Sequence, residues 1–358
     1  MKLEIKKKII ILFTLGIFFV FSPIITGVLS FPKNTSHNCL ELKDNVCISN
    51  EDLKISEKIH INNNWTDAKA AGICTGNGTY SAPYIIENLI IDGRGFGSCI
   101  LIEHSTAVFM IQNCVLFNST GQWDAGILLN YVNNGFCIDN DCSSNYYGIR
   151  LRFCYDSVIA NNSLEKNIDG IYYEYGANNT ISGNKIRSNN QDGIDISVGF
   201  YSQISKNSII DNGNRGIFLV SVLCHDNNIT DNLIKRNGFD FGMEGLYILD
   251  GVFNFIYHNC FVRNYLNAHD RGSNNSWDSG VMGNYWNNYT GSDENHDGIG
   301  DISYNIIGSA GSKDNFPLMK CPFSIIDDKA IFSYDLIFLI GVLSVVSFIL
   351  IKKRKDVL

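Results

Sequence analysis

Charge is scarce in this chain: only 18% of its 358 residues are Asp, Glu, Lys or Arg, and the formal net charge is −8. No basic stripe or patch stands out, which removes the electrostatic footprint of a nucleic-acid-binding protein. Histidine is scattered as well, since His37, His60, His104, His225, His258, His269 and His296 form no sequence-adjacent cluster with one another or with Met. Long apolar runs stand at the two ends.

At the amino terminus, Lys2, Lys6, Lys7 and Lys8 precede an apolar run over residues 9–25. This is the layout of a signal peptide or signal anchor, assigned to residues 1–30. At the carboxy terminus, residues 336–351 are almost unbroken apolar, with Ile331 and Phe332 upstream and Lys352, Lys353, Arg354 and Lys355 directly after. A transmembrane helix over 331–351 with a basic cytoplasmic tail, 352–358, is expected. The positive-inside rule then puts everything between the two ends outside the cell, with a second span if the signal stays uncleaved.

Between the ends the sequence repeats itself. An apolar-x-x-Asn-x-apolar unit recurs with its polar position at Asn88, Asn113, Asp141, Asn162, Asn184, Asn207, Asn232 and Asn259, at intervals of 21 to 28 residues. A second Asn follows five residues later at Asn118, Asn167, Asn189, Asn212, Asn237 and Asn264. Gly126, Gly148, Gly170, Gly193, Gly216 and Gly245, each followed by Ile or Leu, open most units. The period suits one coil per repeat in a β-solenoid and is too short for helical repeats or propeller blades. Apolar and polar residues alternate as half-buried strands require. Gly and Asn suit the corners because both accept left-handed backbone. Stacked about 4.8 Å apart, corner Asn side chains can satisfy backbone groups that tight turns orphan. The repeat is therefore read as architecture, and function is sought on what it holds in register.

Counting from the Gly of each unit, the residues two and four later share one outer face: Leu128 and Asn130, Arg150 and Arg152, Tyr172 and Glu174, Asp195 and Ser197, Phe218 and Val220, Tyr247 and Leu249. Arg150, Arg152, Tyr172, Glu174, Asp195 and Tyr247 are the candidate ligand-binding residues, with rings for sugar faces and charges for hydroxyls or uronates. The plainer alternative is a solvated sheet with Arg–Glu pairs across coils. Eleven cysteines in an exported segment point to disulfides. Cys114 and Cys142 each follow a repeat position directly, so they are expected to stack on adjacent coils and to pair.

The lead-in around Trp65, Gly76-Asn77-Gly78 and residues 81–89, and the closing run Trp277-Asp278, Gly283-Asn284-Tyr285-Trp286, Tyr289, Asp297-Gly298 and Pro317, resemble NosD-like, PbH1-repeat surface proteins of archaeal type. Asn288 stands where that family commonly has Asp. The resemblance covers residues 60–320 and implies an all-β, right-handed single-stranded parallel β-helix carrying a C-terminal transmembrane helix. The expected map is a cap over 31–80, coils over 81–272 and a closing cap over 273–320. Residues 190–195 resemble the Asn-x-Asp-Gly-x-Asp element of polygalacturonase-type hydrolases, which nominates Asp192 and Asp195 as catalytic candidates, and Glu174 and Arg150 on the neighbouring coils join them as the surroundings an enzyme would use. That family's paired Asp-Asp, Gly-His-Gly and Arg-x-Lys elements are missing.

One metal-like motif follows the coils. Asp293, Asn295, Asp297, the Ile299 carbonyl and Asp301, with Gly298 at the turn, follow the alternate spacing of a calcium loop, although Tyr304 stands where a bidentate acid belongs. A structural calcium is expected. The family name evokes copper, which the scattered His and Met ligands do not support. Together these point to a membrane-anchored extracellular protein that binds polysaccharide or envelope components or serves a structural role. A polysaccharide lyase, hydrolase or epimerase and a metalloenzyme maturation factor are the alternatives.

Overall fold

A computed structural model describes residues 53–323, so the expected signal segment, transmembrane helix and basic tail lie outside the described residues. Among the described residues no helix is long and apolar enough to cross a membrane. The chain winds as a right-handed parallel β-solenoid of about 8 turns. Each full coil contributes three short strands, such as Val158–Ala160, Ser163–Glu165 and Asp169–Ala177. Successive coils pair in parallel into a first sheet of eight strands through Val158–Ala160, a second of ten through Ser163–Glu165 and a third of ten through Asp169–Ala177.

Register follows the alternation. Ile159 faces Ile181, Leu164 faces Ile186, and Ile171 faces Ile194, so equal positions pile up along the axis. All six are fully buried. Removing each such side chain from water contributes about 1.5–3 kcal/mol, which is what turns a local repeat into a stable core.

Polar ladders run through three corners. Asn140, Asn162, Asn184, Asn207, Asn232, Asn259 and Asn284 form the first: each backbone N–H donates to the side-chain oxygen one coil ahead, as from Asn162 to Asn184 at 2.9 Å. Each amide nitrogen also donates to a carbonyl one coil behind, as from Asn162 to Cys137 at 2.9 Å. Asn145, Asn167, Asn189, Asn212, Asn237 and Asn264 repeat the pattern at the second corner. The third ladder, Ser157, Asn179, Ser202, Asn227, Asn254 and Asn275, had no counterpart in the sequence reading.

The early coils correct the expected register by one residue. Cys114 and Asn140 occupy ladder positions, with the Cys114 N–H donating to Asn140 at 3.0 Å. Asn88, Asn113 and Asn118 instead sit outside the ladder in left-handed backbone; Asn113 donates to Asn88, and Asn118 to Asp92. Asp141 opens a strand. This slip removes the expected disulfide. Cys142 lies opposite Leu116, not Cys114, and both thiols are free and buried. Cys260 and Cys321 form a disulfide that fastens the last described segment to the second sheet.

Aromatic plugs close the core. At one end Trp65, on the short α-helix Trp65–Ala70, stacks on Tyr84 at 4.8 Å and donates to Ser105 at 2.7 Å. At the other end Trp277 and Trp286 are buried, and Trp286 is sandwiched between Phe261 at 4.4 Å and Tyr304 at 4.3 Å. Asp314 terminates the first ladder, accepting from the Asn284 N–H at 2.7 Å and the Trp286 indole at 2.8 Å.

Candidate functional site

The third sheet carries two side-chain rows on its outer side, along the corner where the chain arrives from the second sheet. One row precedes the Gly of each coil and contains Tyr147, Asp169, Asp192, Arg215 and Glu244. These members are hooked together, the Asp169 carboxylate accepting from the Asp192 N–H and that of Asp192 from the Arg215 N–H, both at 2.7 Å. Glycine is required beside them because coils approach closely: a Cβ on Gly193 would stand 2.6 Å from the Gly216 carbonyl oxygen. The second row has Arg150 opposite Tyr172, Tyr172 opposite Asp195, Asp195 opposite Phe218, Phe218 opposite Tyr247, and Tyr247 opposite His269.

The expected outer face is therefore real at Arg150, Tyr172, Asp195 and Tyr247. It shifts at the fourth position. A bulge leaves Glu174 without a register partner and sets Arg152 opposite Tyr175. Glu174 uses that freedom to accept from Arg150 at 2.7 Å and to face the Arg152 Nε at 3.4 Å. The aromatic rings are not sugar-stacking platforms. Tyr147 stacks on Tyr172 at 4.8 Å, Phe218 on Tyr247 at 5.3 Å and Tyr247 on His269 at 4.8 Å, so coil spacing itself uses up the ring faces. Trp123 is the exception, 47% exposed and leaning over Arg150.

Four residues that the sequence reading left out complete the cluster: Asp169, Arg215, Glu244 and His269. Arg215 lies 3.5 Å from Asp192, 3.7 Å from Glu244, and flat over Phe218 with its guanidinium 3.9 Å from the ring centre. His269 is 3.0 Å from the other oxygen of Glu244. The signal for the first three was their common place immediately before Gly.

Burial dominates the acids. It pushes Asp195 up to about 8, helped by the neighbouring Asp192 and Asp169. Asp169 is raised to about 7 by burial and then by Asp192. Asp192 rises to about 6, burial winning over the opposing pull of Arg215. Near neutral pH the cluster therefore holds carboxyl groups in both protonation states, able to donate as well as accept.

Unpaired atoms concentrate here too. Among the described residues, the buried side-chain polar atoms without a hydrogen bond are Asn130 Oδ1, Arg150 Nε, Arg152 Nε, Asp195 Oδ1, Asn214 Oδ1, Arg215 Nε and Glu244 Oε2. All belong to this face or to the turn leading into it. Each such orphan costs about 1–3 kcal/mol, and native proteins keep few of them without reason.

The expected metal loop is folded on itself. Asp293 accepts from the N–H groups of Asp297 and Gly298, Asp297 from that of Ile299, and Asp301 from that of Glu294, while Asn295 accepts from Asp297. Among the described residues no three His, Cys, Asp or Glu side chains are placed to share a metal ion. His60, His225, His258 and His269 each lean on a carboxylate. The free thiols are buried.

Several solved structures share the fold at low identity. The A-module of mannuronan C-5 epimerase AlgE4 from Azotobacter vinelandii is 15% identical over 68% of this chain, with a TM-score of 0.46, and the chain spans 64% of that module. The alginate lyase from Paenibacillus sp. str. FPU-7 is 16% identical over 55% of this chain and 80% of its own, with a TM-score of 0.39. Pectate lyase Pel9A is 12% identical over 73% of this chain and 78% of its own, with a TM-score of 0.40. No curated protein matches the sequence. The family model for periplasmic copper-binding protein (NosD) matches residues 99–291, more than half of the 358 residues, and the chain belongs to the NosD family.

Proposed function

We propose that this NosD-family β-helix is an extracellular glycan-binding protein whose ligand lies along the outer face of the third sheet. The unpaired atoms carry the reading. Nε of Arg150, Arg152 and Arg215 make no hydrogen bond, although Arg152 Nε lies 3.4 Å from Glu174 and Arg215 Nε 3.7 Å from Glu244, and oxygens of Asn130, Asp195, Asn214 and Glu244 make none either. Sugar hydroxyls both donate and accept, so a chain of them meets such a mixed set better than a purely acidic or basic ligand. A family described as periplasmic supports an exported domain, and the apolar segment 331–351 with its basic flank supports a membrane anchor.

Copper, named in the family's description, does not suit the donors in place among the described residues, because the free thiols are buried and His60, His225, His258 and His269 each face a carboxylate. A maturation role through copper therefore has no supporting residue set. A carbohydrate-active enzyme is the second reading, favoured by Asp192 at about 6 and Asp195 at about 8 within one cluster. Calcium at the 293–301 loop is kept as a weak structural accessory.

A glycan array with the ectodomain tests the reading, comparing the wild-type protein with Arg215→Ala. Binding that Arg215→Ala lowers by about tenfold or more, the scale of a charge-assisted hydrogen bond, is expected. No binding to any glycan would remove the proposal. Turnover of a bound polysaccharide, lost in Asp195→Asn, would move the assignment to the enzyme.

A further inference from the structure

Two protruding connections frame the cluster. At the corner between the second and third sheets, residues 144–146 and 166–168 join consecutive strands in the coils of Tyr147 and Asp169, and residues 188–191 and 211–214 lead to Asp192 and Arg215 in the next two. In the coil of Ala125 the connection is 118–124, and in the coil of Glu244 it is 236–243. The longer turns make ridges separated by five coil steps, or about 24 Å at the usual strand spacing. Trp123 stands on the first ridge, its carbonyl accepting from Arg150 at 2.9 Å. Phe239 and Phe241, 60% and 58% exposed, stand on the second, whose Met243 sulfur lies 4.0 Å from the Arg215 guanidinium. A depression of about 410 Å³, lined by Asp211, Gly213, Arg236, Phe239 and Asp240, lies beside that ridge. Between the ridges lies the strip of the third sheet that carries the cluster.

Acids outnumber bases on this strip between the ridges. Five carboxyl groups, Asp169, Asp192, Asp195, Glu174 and Glu244, face three guanidinium groups, Arg150, Arg152 and Arg215. Glu174 takes up two of the guanidiniums, and Asp192 and Glu244 share the third. Asp195 Oδ1 is buried with no hydrogen bond, as is the second oxygen of Glu244, a residue only 8% exposed. A uronate would bring further acceptors and negative charge to oxygens that already lack donors. An ammonium group offers three donors and favours the ionised form of a carboxyl that burial otherwise keeps protonated.

We infer that this strip takes an extended glycan bearing free amino groups, seated with an amine against Asp195 and flanked at its ends by Trp123 and the Phe239–Phe241 turn. This rests on the glycan-binding reading above and deepens it. The ridges favour an oligomer over a single sugar, because only a chain reaches both. The acid-rich floor sets its class, in contrast to a polyanion track.

Calorimetry with the full ectodomain decides it. The probes are a β-1,4-linked glucosamine hexasaccharide, the same hexasaccharide fully N-acetylated, and hexagalacturonate. The amine form is expected to bind about tenfold tighter than the acetylated form, the scale of one charge-assisted hydrogen bond, and hexagalacturonate weakest of the three. In Asp195→Asn the tenfold preference should vanish while the acetylated form still binds, which shows that the variant is folded. Hexagalacturonate binding as tightly as the amine form, or a preference unchanged in Asp195→Asn, would overturn the inference alone. Failure of all three probes overturns it as well, and a glycan array that also stays blank takes the glycan-binding reading down with it.

Discussion

Two stacks of polar side chains run side by side through this solenoid, built by the same coil-to-coil repetition and opposite in outcome. In the Asn162–Asn184–Asn207 ladder the amide groups are satisfied, each side-chain oxygen accepting from the coil behind and each amide nitrogen reaching a carbonyl and the next oxygen. In the Asp169–Asp192–Arg215–Glu244 stack the backbone hooks run from Asp192 to Asp169 and from Arg215 to Asp192 and stop there, and Arg215 Nε and Glu244 Oε2 are left without hydrogen bonds. Identical side chains repeated at one spacing can close a network on themselves. A stack that mixes carboxyl groups with a guanidinium does not, and what it leaves open is available to a ligand.

The contrast breaks most visibly in the ladder. Asn184→Ala removes the acceptor for both the Asn162 N–H at 2.9 Å and its amide nitrogen at 3.0 Å, and strips the donor from the Ile159 carbonyl at 2.9 Å. At about 1–3 kcal/mol for each orphaned group, a loss on the order of 4 kcal/mol is expected. Urea unfolding measures it as a drop in the transition midpoint. A loss under about 1 kcal/mol would mean that the ladder is ornament, and the distinction between the two stacks would collapse.

The acid stack predicts an effect of the opposite kind. Asp195 ionises at about 8 in the folded chain against an ordinary 3.8. Between those values the folded state holds a proton that the unfolded state has given up, so stability is greatest at low pH and falls as pH rises towards 8. The penalty is shared with Asp169 and Asp192, which titrate as a coupled group. A fall on the order of 4 kcal/mol between pH 5 and pH 8.5, one proton held over about three pH units, is expected and read as a declining melting temperature. Asp195→Asn should flatten that decline and be more stable than wild type at pH 8.5. A wild-type profile that rises with pH over this window would show that burial does not govern the cluster.

How legible was this from residues alone? The solenoid was, because its period, its alternation and its glycine corners are all local. The outer row through Arg150, Tyr172, Asp195 and Tyr247 was legible for the same reason. The ladder register failed in the coils of Cys114 and Asn140, where neighbouring Asn113 and Asp141 offered polar side chains one step away. The third ladder was missed because Ser157 and Ser202 interrupt its Asn. Arg215 and Glu244 escaped notice since only stacking brings them to Asp192, from positions 23 and 52 residues further along the chain. The ring faces were misjudged because pairing across coils, not the residue type, decides whether a Tyr is open to a sugar.

The 293–301 loop supplies the smallest effect and a miniature of the same comparison. Its carboxylates resemble a metal set in spacing, but each already accepts from the loop's own N–H groups, as Asp293 does from Gly298 at 3.0 Å and Asp297 from Ile299 at 2.8 Å. A calcium ion would have to share those oxygens with the turn they hold. Affinity at the weak, extracellular end of the range, near 1 mM, is therefore expected. At about 1 mM calcium such a site contributes only about 0.4 kcal/mol. Melting curves in calcium and in chelator should accordingly differ by a degree or so. A difference of many degrees would place this loop with the unsatisfied stack, as a site completed by its ligand, and no difference at all would place it with the Asn ladders, as a turn complete in itself.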